Sequence, residues 1–513
     1  MNKSSMIDLA KKYEIHIILF VIAIAVRLSI SCSICGDDMD YYFFGAKSIL
    51  QNHTYLVDGN PSQYPMGYSL LIVPFFHFFG INSQSAIYSC ALLGALTVVL
   101  LYEFVKDWVD TRAAVFASLF LIFVATHWYL STSVWSEAPS LFFILLGIVA
   151  AVKYANTERT VFIYLFYVAA GFACLIRYTS GMMFFIIGLY IILSNKIYLL
   201  KHKDVWIGTL LFLIIISPQL IYNSIYFGSV FTTGYSGVSE QMFSLEYFFT
   251  PGEYRHQFQI ISYLRCLIVG FGSPILPFYL YGMWNLIKQR NREELSLIIP
   301  WIVVPFIIFS CHFWTSLRYL IFVLPALLIL SGIGFSKMCD RFGIEAGSDK
   351  VNKTTKIKKA LIILLVLILL ILTIVVSFNI VQQSEAHAEC VKNTFVWIRE
   401  NSGEDDIILS DRQLSYEYYS QRKVYSLQTS HKELERLIST HNDTYLVIHE
   451  GGRSQSYIFN TEQWLNETYN LIHLKTFENN FSSISKILRD IKIKCGINPS
   501  SVTDRWNVYL IAK

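Results

Sequence analysis

Three carboxylates stand within four positions in Gly36-Asp37-Asp38-Met39-Asp40-Tyr41, where a first apolar stretch beginning at Ile15 must surface from a membrane. One acidic residue there is ordinarily a helix cap or a solvated interface group, because carboxylates suit a helix N-terminus. Three together mark a candidate active site. Arg177 and Arg318 each stand at the end of an apolar stretch, and guanidinium groups bind phosphate oxygens in a bidentate way, although interfacial arginines also snorkel. Glu137 opens another stretch, as a cap or as part of an acidic pocket with Asp37. Arg27 lies inside the first stretch beside Ala25, Val26 and Leu28. An ionised group there costs about 2.5–3.5 kcal/mol to insert, so it requires a buried partner or a cavity. Lys47 and His312 are further ionisable residues near the interface, where lone examples are more often structural.

The elements that must position these residues are membrane spans. A chain of 513 residues that is 54% hydrophobic and 16% aromatic, with a mean hydropathy of +0.46, cannot be arranged as a water-soluble globule. A formal charge of +4 is explained by membrane topology and implies no nucleic-acid partner. A ruler of about 20 apolar residues per helix predicts spans near 15–35, 82–105, 113–132, 138–154, 160–176, 180–194, 206–222, 262–286, 295–312, 317–336 and 360–381, about 11 in all. The N-terminus shows no cleavage pattern, and its apolar run reads as a retained first helix.

Lys and Arg residues set the orientation. Alternate loops carry about 20 of them, from Lys3, Lys11 and Lys12 to the 337–359 segment, while the opposite loops carry about five. The Asp37 loop and everything after about Gln382 are therefore expected outside, with the N-terminus cytoplasmic. The protein is expected in the cell (plasma or inner) membrane.

The first outward loop, residues 36–81, is elaborate. Met39–Leu50 looks amphipathic, and the run Leu70–Phe79 is too short to span, which suits a helix lying in the interface. Domain 1–381 is thus a membrane-embedded catalytic domain with loop 36–81 carrying the acidic site, and 382–513 a small soluble α/β domain. In the latter, helices are expected around 387–401 and 430–440, with strands at Asp406–Ser410, Tyr445–His449 and Val508–Ala512. Trp128, Tyr129, Trp135, Trp314 and Tyr319 read first as an interfacial aromatic belt. Cys32-x-x-Cys35 has redox or metal spacing but no second pair, and Cys390 and Cys495 stand in the outward domain as a possible disulfide.

The order of motifs resembles the GT-C glycosyltransferases, and within them the protein O-mannosyltransferase and lipid A aminoarabinose transferase group. The residues carrying it are the acidic pair, Tyr41 with Ala46-Lys47-Ser48-Ile49-Leu50, Tyr64-Pro65-Met66-Gly67-Tyr68, Trp135-Ser136-Glu137-Ala138-Pro139, Leu175-Ile176-Arg177 and Leu317-Arg318-Tyr319-Leu320. Asp38 departs from the pattern, since relatives often carry Glu there, and no clear metal-binding Asp-x-Asp is present beyond the spacing of Asp38-Met39-Asp40.

The resemblance implies inverting transfer of a sugar from a polyprenyl-phosphate carrier to a protein, lipid or glycan acceptor on the outer face. A carboxylate then takes the proton of the attacking acceptor group, Asp37 first and Asp38 in reserve. Arg177 and Arg318 hold the leaving phosphate, with Glu137, Tyr41, Lys47 and Arg27 as further donor-binding candidates. No metal ligand is assigned; a divalent cation stays open as a cofactor. The alternatives are an oligosaccharide transferase using a diphosphate-linked donor, and a lipid or sugar transporter. A transporter should show internal symmetry or broken helices near the midplane, which the sequence lacks.

Overall fold

The structure, a computed structural model, describes residues 3–30, 32–235, 243–249, 259–265, 274–312, 316–343, 353–411, 414–450, 456–479 and 504–512, of which 3–12, 37, 259, 265, 353–355, 450, 456–459, 479 and 504 are described by their backbone alone. The chain forms two compact units, one of Met1–Ser29 and Phe44–Phe378, the other of Ile30–Phe43 and Asn379–Lys513.

The first unit is helical. It holds α1 (Lys3–Leu28) and the end of α2 (Asp37–Asn52), then a two-stranded hairpin of β1 (Leu56–Val57) and β2 (Asn60–Pro61). There follow α3 (Gly67–Phe79), α4 (Ser83–Trp108), α5 (Thr111–Phe123), α6 (Ala125–Leu130), α7 (Glu137–Thr157), α8 (Thr160–Ile176), α9 (Met182–Leu193) and α10 (Lys203–Phe227). Next come α11 (Glu246–Phe249), α12 (Gln259–Arg265), α13 (Leu276–Gln289), α14 (Arg292–Ser310), α15 (Leu324–Arg341) and the start of α16 (Lys353–Asn401).

By length and composition, six helices among the described residues can cross a bilayer: α4, α7, α10, α14, α15 with its leading 3₁₀ turn Leu317–Val323, and α16. Shorter apolar helices are α3, α5, α8 and the stretch Tyr178–Leu193. Side chains of α4, α7 and α15 are mostly buried in the bundle. By contrast α10 exposes Ile207, Leu210, Leu213, Ile214, Ile221 and Ile225, and α16 exposes an almost unbroken Leu/Ile surface from Leu361 to Leu372. Apolar surface left outside a bundle in this way is what lipid covers.

Packing is tight where small residues allow it. A Cβ on Gly334 of α15 would lie 2.0 Å from the Phe278 carbonyl oxygen of α13. Pro218 cannot donate to the Ile214 carbonyl inside α10; the Ser217 hydroxyl donates to it instead, at 2.8 Å.

Three boundaries differ from expectation. The first apolar stretch is helical only to Leu28 rather than to about 35, because the chain leaves for the second unit at Ile30. Gly36, with φ of 103°, turns the chain into α2 in a conformation open to glycine. The stretch 113–132 is split at Val124, whose extended backbone (ψ 125°) separates α5 from α6. Of the stretch 262–286, α12 and α13 flank residues outside the description. Finally, no break occurs near Gln382: α16 continues without interruption to Asn401, and the helix expected at 387–401 is its last part.

The second unit carries a five-stranded sheet ordered β4 (Lys423–Ser426), β3 (Ile407–Ser410), β5 (Thr444–Glu450), β7 (Asp504–Ala512), β6 (Asn470–Asn479). β3 runs parallel to β4 and β5, while β7 pairs antiparallel with β5 and β6. Between strands lie α17 (Leu414–Ser420), α18 (His431–Thr440) and α19 (Ser456–Thr468). Leu434, Leu437 and Ile438 of α18, spaced i, i+3, i+4 on one face, join Leu409, Leu446 and Ile511 of the sheet in one apolar core. Trp506 of β7 instead meets Phe395 of α16 and stacks on His449 at 4.2 Å. Cys495 lies outside the described residues, and with it the expected pairing to Cys390.

A buried carboxylate between two arginines

Glu137 and Arg177 occupy helix ends of matching polarity. The carboxylate sits in the first turn of α7 and the guanidinium just past the last residue of α8, each where the helix dipole favours its charge. Arg177 Nη1 lies 3.0 Å from Glu137 Oε1 and donates to Ser136 Oγ at 2.9 Å. Arg318, from the 3₁₀ turn before α15, brings Nε to 3.6 Å from the same Oε1. Glu137 is wholly buried, whereas the Arg177 and Arg318 side chains are 14% and 21% exposed. Glu137 Oε2 has no hydrogen-bond partner among the described residues. Two guanidiniums thus converge on one buried carboxylate at a partly open position, where bidentate donors can meet an anion.

Aromatic rings fix Arg318 in place. Its guanidinium carbon is 4.4 Å from the Trp135 ring centre and 5.1 Å from that of Tyr319, a cation–π arrangement on both rings. Trp135 Nε1 donates to the Tyr129 hydroxyl at 3.1 Å, and Tyr319 stacks on Phe309 at 5.4 Å. His312 is buried with its ring edge-on between Phe243 and Tyr319. Trp128, Trp135 and Tyr319 are therefore buried packing residues rather than a lipid-facing belt. Trp135 and Tyr319 pack against Arg318, and Trp128 against Phe123 and Phe378. Trp314 lies outside the described residues.

Arg27 has its buried partner. It stands in the last turn of α1, wholly buried, where Nη1 donates to the Ala23 carbonyl at 2.8 Å and Nη2 to His127 Nδ1 at 2.8 Å. A cation that always donates requires His127 to present that nitrogen unprotonated. His127→Leu leaves Arg27 with one carbonyl, and is expected to lower stability by about 2–3 kcal/mol, the cost of a buried charged donor losing its acceptor. Thermal unfolding in detergent checks this, and the double variant Arg27→Met/His127→Leu should recover most of the loss. A wild-type midpoint in His127→Leu would show that the pair contributes nothing.

The acidic segment belongs to the second unit. Asp37 opens α2, and its side chain lies outside the description. Asp38 and Tyr41 are half-buried on α2, as is Lys47 in the first unit. Asp40, which completes the triplet, is 1% exposed and committed to structure: Oδ1 accepts from the Gly36 amide at 3.1 Å and Oδ2 from the Ser415 amide of α17 at 2.8 Å. Both oxygens of the second carboxylate in the Asp38-Met39-Asp40 spacing are thus occupied by backbone donors. Among the described residues no group of three or more His, Cys, Asp and Glu gathers as a cation site.

The sequence places the two arginines and Glu137 at span ends but does not bring them together, since 40 and 181 positions separate the partners along the chain. Sequence reading also passed over Gln219, Tyr222 and Asn223. These are polar residues at i, i+3, i+4 of an apolar helix and are all buried; that spacing is the signal that would have found them.

Residues 63–222 match the family model described as dolichyl-phosphate-mannose-protein mannosyltransferase. The match begins beside the Tyr64–Tyr68 motif, takes in Glu137 and Arg177, and ends at Tyr222. No curated protein matches the chain closely enough in sequence to count as a relative. Among solved structures, the chain is similar to ArnT from Cupriavidus metallidurans in the apo state, with a TM-score of 0.66 at 13% identity over 96% of this chain and 97% of that one. The same protein bound to undecaprenyl phosphate gives 0.65 at 12% identity over 99% and 98%. The archaeal oligosaccharyltransferase AglB from Archaeoglobus fulgidus, in complex with an inhibitory peptide and a dolichol-phosphate, gives 0.56 at 13% identity over 93% and 74%. At such identities the likeness is one of fold.

Proposed function

Because this chain has the GT-C glycosyltransferase fold and resembles the protein O-mannosyltransferase and ArnT group, we propose that it is an integral membrane glycosyltransferase. It moves a sugar from a polyprenyl-phosphate carrier to an acceptor on the outer face of the membrane, by inverting displacement at the anomeric carbon. The observation that carries this reading is the Arg177–Glu137–Arg318 cluster, with its two partly open guanidiniums. It is supported by a structural relative that was solved with undecaprenyl phosphate bound.

In this reading Arg177 and Arg318 bind the departing lipid phosphate and stabilise the charge that develops as the glycosidic bond breaks. Glu137 holds the two guanidiniums side by side, which their mutual repulsion would otherwise oppose. Asp37 takes the acceptor proton, with Asp38 in reserve, and Tyr41, Lys47 and Arg27 complete the candidate donor-binding set. Residues 1–381 form the catalytic membrane domain and residues 382–513 the outward domain.

The experiment is sugar release from a panel of radiolabelled polyprenyl-phosphate hexoses and pentoses by the full-length protein in detergent. Carrier-dependent turnover supports the reading. Turnover only with a diphosphate-linked glycan would favour the oligosaccharide-transfer reading, which the likeness to AglB supports. Flux across proteoliposomes without transfer would favour transport.

A further inference from the structure

We infer that Gln219 and Asn223 of α10 are positioning residues for Arg177, an inference that rests on the donor-phosphate reading above. Arg177 follows the last residue of α8 with an extended backbone (φ −148°, ψ 125°), held by its own amide to the Ala173 carbonyl at 2.9 Å. Its carbonyl accepts from the Ser180 amide at 3.0 Å and opens the short 3₁₀ turn Tyr178–Gly181, so Arg177 is the extended hinge between α8 and that turn. Its direction depends on what fixes the chain on either side, at Leu175 and at Tyr178.

On the Leu175 side the constraint is a backbone contact. A Cβ on Gly67, the first residue of α3, would lie 2.5 Å from both the carbonyl carbon and the carbonyl oxygen of Leu175. Only glycine lets the Tyr64–Tyr68 motif press this closely on the end of α8. The motif is itself held from α10: the Met66 amide donates to Gln219 Oε1 at 2.9 Å, and the Tyr222 hydroxyl accepts from the Ser62 amide at 2.7 Å while donating to the Tyr55 carbonyl at 3.0 Å. Met66, Leu175, Tyr55 and Tyr222 close over these bonds as one buried apolar cluster.

On the Tyr178 side the constraint returns to the same helix. The Tyr178 hydroxyl donates to Asn223 Oδ1 at 3.4 Å, and Gln219 Nε2 donates to that same oxygen at 2.9 Å. Gln219 and Asn223 are 3% and 2% exposed. One continuous set of hydrogen bonds therefore runs from the Met66 amide through Gln219 and Asn223 to Tyr178, and fixes the chain on both sides of Arg177. Buried side-chain amides joined in this way are ordered as a unit. Loss of either end frees the Arg177 backbone while leaving its guanidinium intact.

The test uses the full-length protein in detergent and undecaprenyl phosphate as the probe, with affinity measured by titration. Tyr178→Phe keeps the ring and deletes one hydroxyl; Gln219→Leu deletes the other end. Each is expected to weaken binding about threefold to tenfold, the size of one lost hydrogen bond. In an Arg177→Ala background neither should cause further loss, because the group they direct is gone. Unchanged affinity in both variants, in a protein where Arg177→Ala does weaken binding, overturns the inference, as does an equal loss in both backgrounds. If the wild type does not bind the probe, or Arg177→Ala binds as well as wild type, the donor-phosphate reading falls and this inference with it.

Discussion

Asp37→Asn is expected to abolish sugar release while leaving donor binding and the melting temperature close to wild type. An asparagine keeps the size and hydrogen-bonding shape of the carboxylate but cannot take the acceptor proton, and removing a positioned base costs about 10²–10⁴-fold in rate. The comparison with its neighbours makes the result specific. Asp40 is no substitute base, since both of its oxygens accept backbone amides that hold Gly36 and the start of α17. Asp38, half-buried on the same helix, is the remaining carboxylate of the three, so the same loss in Asp38→Asn with full activity in Asp37→Asn would transfer the role to it. Rates for the two variants, measured beside their donor affinities, decide between them.

Glu137→Gln is expected to have the second large effect, on stability and donor affinity together. The substitution preserves shape but removes the negative charge on which both arginines converge. The two guanidiniums then lose the charge that lies between them. Removing one partner of a buried pair costs about 3–5 kcal/mol, reduced here because both arginine side chains keep some contact with solvent. The measurement is thermal unfolding in detergent at low and high salt, with the loss shrinking as salt rises. The double variant Glu137→Gln/Arg177→Met, which leaves one cation on its aromatic rings, should regain most of the stability and none of the donor affinity. Equal melting of Glu137→Gln and wild type at every salt concentration would show that Glu137 does not hold the arginines together.

Local rules made much of the framework legible in advance. Apolar runs long enough to span located α4, α7, α8 and α14 to within a few residues, because lipid requires a continuous apolar surface and an internally satisfied backbone. The short run after the Tyr64–Tyr68 motif lies in α3, and the helix expected around 430–440 is α18. The candidate chemistry was legible as residue types at span ends: Glu137 and Arg177 follow from the sign of charge a helix terminus favours.

The tertiary structure decided what depends on partners distant in the chain. Hydropathy reports the solvent around a helix and not its hydrogen-bond ladder, so the change of composition near Gln382 marked a change of environment inside α16 and looked like an end. An arginine in an apolar stretch announces that it needs an acceptor but not which one, and His127 lies 100 positions from Arg27. Trp135 and Tyr319 have the composition of an interfacial belt, yet they are buried around Arg318. Amphipathic rings suit both settings, and only packing distinguishes them. The convergence of Glu137, Arg177 and Arg318 on one buried oxygen, and the α10 amides that hold the chain around Arg177, arise from helices brought side by side. Sequence carries each residue's chemistry and its place along a helix; which residues face one another is set by how the helices pack.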